Sequence, residues 1–513
     1  MKKHILSTAI AAATLTGFSS TSMALDPTVT APNLKIFMSG ASAMDNAIKN
    51  MFENLCEAGT LDFFRNGNDP DLDKVGSAYS AYFCTLTPAK VPGLQGPRNV
   101  LFTKRSAGGS AQGVNPLIDN AQLDFLNVLN QGTCQKQGTS KTWNCTINPG
   151  SNDLAKEYPN IGISDVDPLQ FRGVNTPAGF NPVTPTGAAQ LEVRAVAALL
   201  FGIPVSNNLY EALQVVQKDQ GRIPSDCVIP HPEGAAPEEV ERCMPSLSKY
   251  QVASIISGQI KSWDEFVFEK DGLDYPFTQY PGVTAPDTNL VHICKRVAGS
   301  GTGAQQYNKF LNNPCSAGAL NPTEIDDPFD GPRTILNSGS GNIDRCLDDF
   351  SRGTNIGGSN EDLFTGLPVK AWATGVQSLE KNANNALEYR FVKIDGVAPT
   401  LKNAFNGTYM DWVEPTYQWR KTGNGAPAGD TLRIIEKLVV DAGNPTTVAS
   451  VLNNNSGYFF GDSGYLAVAS NGHPYNHVLD VNAPVMPYSH AAGGVLNNCS
   501  VPVIQQAPTN KPL

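Results

Sequence analysis

The sequence predicts a loop-rich α/β protein, and three observations lead there. A short apolar strand, a glycine turn and an amphipathic helix follow one another twice, at well-separated places. Glycine and proline are plentiful, at 47 and 37 residues. Neither a sustained repeat nor a heptad pattern runs along the chain, which leaves mixed strand and helix rather than a solenoid or coiled coil.

The first residues read as an export address. Lys2 and Lys3 precede an apolar run from Ile5 to Phe18, and Ser22-Met23-Ala24 offers small residues at the cleavage spacing, so residues 1–24 are expected to leave with cleavage near Ala24. The run is shorter than the roughly twenty apolar residues that span a bilayer. No cysteine stands at the cleavage point to carry a lipid. A free periplasmic or secreted protein is the expectation.

Leu34 to Ser39 then reads as a strand and Gly40-Ala41-Ser42 as the turn. Met44, Ala47, Ile48, Met51, Phe52 and Leu55 recur at helical spacing. Tyr158 to Ser164 is strand-like. Ser248 is an N-cap for a helix with core face Val252, Ile255 and Ile256, ended by Gly258. The opening design returns with Leu290 to Cys294 as strand, Gly299-Ser300-Gly301-Thr302-Gly303 as turn, and Tyr307, Phe310 and Leu311 as the apolar helix face. Tyr389 to Ile394 is strand-like again. Three stretches rich in Gly, Pro, Asn and Cys read as insertions or surface elaborations: 116–157, 218–244 and 312–362.

All ten cysteines follow the export segment, so disulfides are expected. Cys56 with Cys84, Cys134 with Cys145, and Cys227 with Cys243 look like local pairs. Cys294, Cys315, Cys346 and Cys499 are left unassigned. A structural metal would need cysteines clustered at short spacing, and none of the ten shows it. The net charge of −10, or −12 without Lys2 and Lys3, argues against a nucleic-acid partner, which requires clustered Lys and Arg. It does not exclude a small anion, held by local N–H groups and one or two cations.

The turn from Gly299 to Gly303 carries the clearest chemistry. Small residues let backbone bend round an anion, the following helix presents its positive end, Ser300 and Thr302 add hydroxyls, and Arg296 at the strand end offers a planar donor fork. Read alone, it is more often a glycine-rich connector beside a solvated arginine, since such turns are common in α/β folds.

Several segments together, in one order, resemble the periplasmic phosphate-binding proteins of ABC transporters. Gly40-Ala41-Ser42 resembles their first anion-contacting turn and Ser106-Ala107-Gly108-Gly109 their second. Ile161-Gly162-Ile163-Ser164-Asp165 resembles the strand ending in their phosphate-contacting aspartate, and Arg296 through Thr302 their arginine and Gly-Ser-Gly-Thr turn. The segment from Leu247 to Phe266, with Gly258-Gln259-Ile260 and Trp263-Asp264, and the turn Asp395 to Pro399 are similar to supporting parts of that family. About half of the chain that follows the export segment is covered.

The resemblance implies a two-lobed α/β architecture of the type 2 periplasmic-binding kind with disulfide-closed insertions. The first lobe would run from about Pro32 to Pro185 and again from about Ala386 to the end, with 186–385 as the second lobe. It assigns Ser42, the Ala43 N–H, Ser106, Asp165, Arg296, Ser300, Gly301 and Thr302 to the anion. The expected function is capture of inorganic phosphate or a related oxyanion, for uptake through a membrane permease, by a monomer with no cofactor, no metal and no catalysis. Asp165 fits chemically, because phosphate near neutrality keeps a proton that an ionised carboxylate can accept, whereas sulfate has none to give. Taken alone, Asp165 reads as a helix cap beside Pro168.

Two positions depart from the family. Its second acidic residue, two places after the arginine, is Ala298 here, so Arg296 is expected to be less rigidly held. The aromatic that follows the first hydroxyl in many relatives is Ala43, which leaves space for a larger ligand such as a phosphate ester. Two rival readings stand beside this one. Gly461-Asp462-Ser463-Gly464 matches a protease nucleophile tetrapeptide, but Tyr465 follows it and none of the six histidines has a matching context, so a surface turn is expected. The same scaffold could instead serve as a non-transport binding protein at the cell surface.

Overall fold

In the computed structural model, residues 26–67, 78–130, 132–148, 151–232, 234–362, 365–491 and 494–505 are described; the export segment expected at 1–24 lies outside them. The elements that bear on function are β1 (Leu34–Gly40), α1 (Asp45–Leu55), β2 (Arg98–Arg105), β3 (Ile161–Ser164), β4 (Ala197–Gly202), β5 (Thr288–Arg296), α2 (Gly301–Leu311), β6 (Arg333–Asn337), α3 (Ser340–Arg352), β7 (Ala371–Gly375) and β8 (Thr416–Arg420).

Three sheets organise the described chain. The largest has nine strands in the order Leu191–Ala195, β8, β3, β1, β2, Tyr79–Leu86, Asp62–Asn66, Thr142–Cys145, Cys134–Lys136. At its centre β1 runs parallel to both β2 and β3, with Ser39 opposite Arg105 and Gly40 opposite Ile163. Three strand ends therefore emerge at one edge. A second sheet of five strands runs β6, β5, β7, Pro204–Ser206, Tyr389–Phe391, again with a parallel centre in which Arg296 lies opposite Asn337 and Cys294 opposite Gly375. A third sheet is built round β4, which pairs with Gln377–Ser378, Trp412–Val413 and Tyr465–Val468.

The local reasons follow the side chains. Strand β1 buries Ile36 and Met38 in the same apolar cluster that takes Ala47, Ile48, Met51, Phe52 and Leu55 of α1. The Phe52 and Phe102 rings stack with centroids 4.6 Å apart. Replacing Phe52 by Ala would cost about 3–5 kcal/mol in lost burial and cavity formation. Gly40 must be glycine: its φ is +120° and a Cβ there would lie 2.0 Å from the Ile163 carbonyl oxygen. The helix Lys249–Ile256 starts as its sequence predicts, with Ser248 and Gln251 forming a reciprocal capping box.

Five disulfides staple the chain. Cys56–Cys84, Cys134–Cys145 and Cys227–Cys243 are the local pairs the spacing predicts, and Cys294–Cys346 and Cys315–Cys499 complete the set.

Some expectations need correction. The stretch 312–362 is not a surface elaboration as a whole, because it contains β6, an integral strand, and α3, whose buried face is Ile343, Cys346, Leu347 and Phe350. Ser463 does not lie on a surface turn: it is fully buried and donates its hydroxyl to the Pro399 carbonyl at 2.8 Å.

Candidate anion-binding site

The carboxyl ends of two sets of parallel strands meet. Ser42 follows β1, Ser106 follows β2 and Asp165 follows β3; on the other side Arg296 ends β5, and Ser300 and Ser340 follow β5 and β6. Crevices beyond the carboxyl ends of parallel strands are where α/β sheets take ligands, because helix starts and free N–H groups collect there.

Arg296 is the central group. It is 2% exposed, and its guanidinium donates from Nε to the Asn337 carbonyl at 3.3 Å and from Nη2 to the Ser338 carbonyl at 3.1 Å. Longer contacts reach two hydroxyls, Nη2 to Ser42 Oγ at 3.4 Å and Nη1 to Ser340 Oγ at 3.5 Å. With Ala298 two places on, the arginine is nevertheless held. Two neutral carbonyls at the end of β6 hold it, and they leave its charge uncancelled. Burial lowers its pKa to about 10, with Asp165 opposing the shift, so it stays charged at neutral pH.

Asp165 is 1% exposed. Its Oδ2 accepts from Thr302 Oγ1 at 2.8 Å and its N–H donates to Ser110 Oγ at 3.2 Å, while Oδ1 is buried with no hydrogen-bond partner among the described residues. Burial raises its pKa; Thr302 and Arg296 work against that. The helix-cap role falls to Asp167, whose carboxylate accepts the Leu169 N–H at 2.9 Å.

Helix α2 starts at the same place. Ser300 caps it, accepting the Gly303 N–H at 3.2 Å, while the N–H groups of Gly301 and Thr302 make no hydrogen bond with another described residue. Gly301 permits close approach: a Cβ there would lie 2.4 Å from Ser110 Oγ and 2.9 Å from Asp165 Cβ. Across the seam the Ala111 N–H donates to the Gly299 carbonyl at 2.8 Å.

Ser42 meets Ser340, their hydroxyls 3.2 Å apart and the Ser340 N–H 3.1 Å from Ser42 Oγ. The Ala43 N–H makes no hydrogen bond with another described residue, and its carbonyl accepts from Ser378 Oγ at 3.0 Å. The structure thus brings Ser42 to Arg296 and Asp165 to Thr302, with Ala43 beside Ser42 and with Ser300 and Gly301 on the Thr302 turn. Ser106 is engaged elsewhere. Its Oγ accepts from Lys104 Nζ at 2.7 Å and donates to Asp45 Oδ1 at 2.7 Å, inside a buried Lys104–Asp45 ion pair at the start of α1.

Ser340, Ser110, Lys104 and Asp45 escaped the sequence reading. Ser340 had a visible signal, because Ser338-Gly339-Ser340-Gly341 joins β6 to α3 just as the two recognised turns join strand to helix. It lay inside a stretch set aside as an insertion. Lys104 and Asp45 gave none, since only the fold brings them together.

No family model matches the sequence, and no curated protein sequence matches it. Among solved structures the chain resembles a substrate-binding protein assigned to phosphate ABC transport, solved with bound phosphate, from Clostridium perfringens: identity is 12%, coverage 82% of this chain and 98% of that one, and the TM-score 0.40. It also resembles an ABC-type phosphate transport receptor from Vibrio cholerae, at 10% identity, 79% and 93% coverage and a TM-score of 0.34. PstS from Borrelia burgdorferi is similar at 11% identity, 82% and 96% coverage and a TM-score of 0.30.

Proposed function

We propose that this chain is an exported solute-binding protein that captures inorganic phosphate, or a related oxyanion, between two lobes, and delivers it to an ABC-type permease. Ser42, Ala43, Arg296, Ser300, Gly301 and Thr302 are its donors, joined by Ser340, and Asp165 is its acceptor. Ser106 acts one step back, through Lys104 and Asp45. In this reading the lobes are 32–185 with the chain after about 386, and 186–385, and the ion lies between them.

The observation that carries the reading is the unpartnered Asp165 Oδ1, buried beside Thr302 and in electrostatic reach of a buried guanidinium. An acceptor with no donor, next to donors with no acceptor, suits a ligand that offers both. A phosphate that keeps one proton is such a ligand: its O–H donates to Asp165 while its charged oxygens take the guanidinium, hydroxyls and N–H groups. Sulfate meets Asp165 as like charge, so the carboxylate selects by penalising the wrong ion. No bond is made or broken.

Calorimetry of the mature protein against phosphate, arsenate and sulfate tests this. The expected order is phosphate and arsenate bound and sulfate rejected. Equal binding of sulfate would overturn the role of Asp165, and no binding of any of the three would overturn the function.

A further inference from the structure

Helix α2 carries anion groups at its first turn and a second set of contacts at its far end. Its Asn308 Nδ2 donates to the Asn498 carbonyl at 3.1 Å and to Gln170 Oε1 at 3.1 Å. Its Lys309 Nζ lies 3.0 Å from His490 Nε2 and 5.5 Å from the centre of the Trp412 ring. Just after the helix, Cys315 is bonded to Cys499, 184 residues away in sequence.

These partners belong to one stretch of chain. After Val485–Met486 pairs with Tyr465–Val468, Tyr488–Ser489 pairs with Val503–Ile504, so the C-terminal segment doubles back on itself. Asn498 and Cys499 lie on the loop between those strands. From there Asn498 also reaches the turn after β3: the Asp167 N–H donates to Asn498 Oδ1 at 2.7 Å and the Asn498 N–H to Asp167 Oδ2 at 2.9 Å. Asp167 is two residues from Asp165. Two adjacent residues thus hold, from behind, the far end of α2 and the chain just after Asp165.

The grip is built into the interior. His490 is 1% exposed; Glu414 accepts its backbone N–H at 2.8 Å and also takes its ring Nδ1. Burial, with Lys309 adding to it, lowers the imidazole pKa, so the neutral ring donates from Nδ1 to Glu414 and offers Nε2 to Lys309. Any hinge motion that parts Thr302 from Asp165 must break the Asn498–Asp167 pair or drag the segment along, because the covalent link to α2 does not yield to thermal motion.

We propose that the C-terminal segment is a clasp across the back of the site, covalent on the α2 side and hydrogen-bonded on the Asp165 side, that makes the protein a retaining binder with slow ligand exchange. The proposal rests on the oxyanion reading for the identity of the cargo, not for the existence of the clasp.

Two variants test it, Cys315→Ser with Cys499→Ser, and Asn498→Pro, which keeps every disulfide but removes both the N–H donated to Asp167 and the Oδ1 that accepts from it. Release of labelled phosphate into excess unlabelled phosphate, and hydrogen exchange of the α2 amides without ligand, are measured in each. Both variants should release phosphate about tenfold faster or more, since affinity changes fall mainly on dissociation, and α2 should exchange faster. The pair Cys134→Ser with Cys145→Ser, confined to an edge hairpin, should match wild type. Release within about twofold of wild type, with unchanged exchange in α2, would overturn the clasp. Should the double-cysteine variant fail to fold, Asn498→Pro decides alone. Should wild type bind no phosphate, the oxyanion reading falls, and the exchange measurement still decides the clasp.

Discussion

Helices α1 and α2 begin in the same way, from a parallel strand through a glycine turn, and their first turns are neutralised in opposite ways. At α1 the protein supplies its own anion: the N–H groups of Asn46 and Ala47 donate to the carboxylate of buried Glu380 at 3.1 and 3.3 Å, and Tyr465 adds its hydroxyl at 3.0 Å. At α2 the Ser300 hydroxyl caps the turn, Asp165 takes the Thr302 hydroxyl at 2.8 Å, the Gly301 and Thr302 N–H groups make no hydrogen bond with another described residue, and a guanidinium held by neutral carbonyls stands beside them. A helix start favours negative charge by about 0.3–1 kcal/mol when exposed and up to about 2 kcal/mol when partly buried. The two starts differ in what their carboxylate takes: Glu380 takes backbone N–H groups of α1, whereas Asp165 takes the Thr302 side chain and leaves the backbone donors of α2 open to a ligand.

The largest break in this contrast comes from Arg296→Ala. It removes the guanidinium at the start of α2 and the nearest charge opposing buried Asp165, so phosphate affinity should fall about a hundredfold or more, or about 3 kcal/mol. Titration calorimetry reads it directly, and unchanged affinity would take the guanidinium out of the site. Asp165→Asn comes next. It should weaken phosphate by about tenfold, the worth of one charged hydrogen bond, while sulfate binding rises because the like charge is gone. A phosphate-to-sulfate ratio equal to wild type would show that the carboxylate does not select. Ser340→Ala removes one hydroxyl whose N–H remains, and a loss of about threefold to tenfold is expected.

How much of this the sequence disclosed depends on whether the signal was local. Strand β1, the apolar face of α1, the Ser248 cap and three disulfides were legible because neighbouring residues determine them. Arg296 and the Gly299–Gly303 turn were legible for the same reason. The Ser338–Gly341 turn carried the same signal and was hidden by its surroundings of Gly, Asn and Cys, a composition that loops and helix caps share. Glu380, Lys104 with Asp45, and the Asn498–Asp167 pair were not legible. Each joins residues from different parts of the chain whose types, taken singly, say only that they are polar. Burial gives them meaning, and burial is a property of the finished fold.

Glu380 offers the finest test of the contrast, because it should matter for pH response and hardly for the ligand. Burial raises its pKa from 4.5 to about 7, with Lys381 and the Asn46 N–H opposing. A folded-state pKa above the unfolded one means that the folded protein holds this proton more tightly. The resulting contribution to stability is complete below about pH 4.5 and is lost as pH rises through about 7. Glu380→Gln removes that titration. The decline in unfolding free energy between pH 5 and pH 8 should therefore be shallower in the variant, by on the order of 3 kcal/mol, seen as Tm curves that converge as pH rises. Phosphate affinity at pH 7 should stay within about twofold of wild type, since the N–H groups that Glu380 takes are not those left open at α2. An equally steep pH response in the variant would mean that Glu380 stays ionised in the interior throughout. The α1 start would then carry a permanent negative charge, which sharpens its difference from α2 still further.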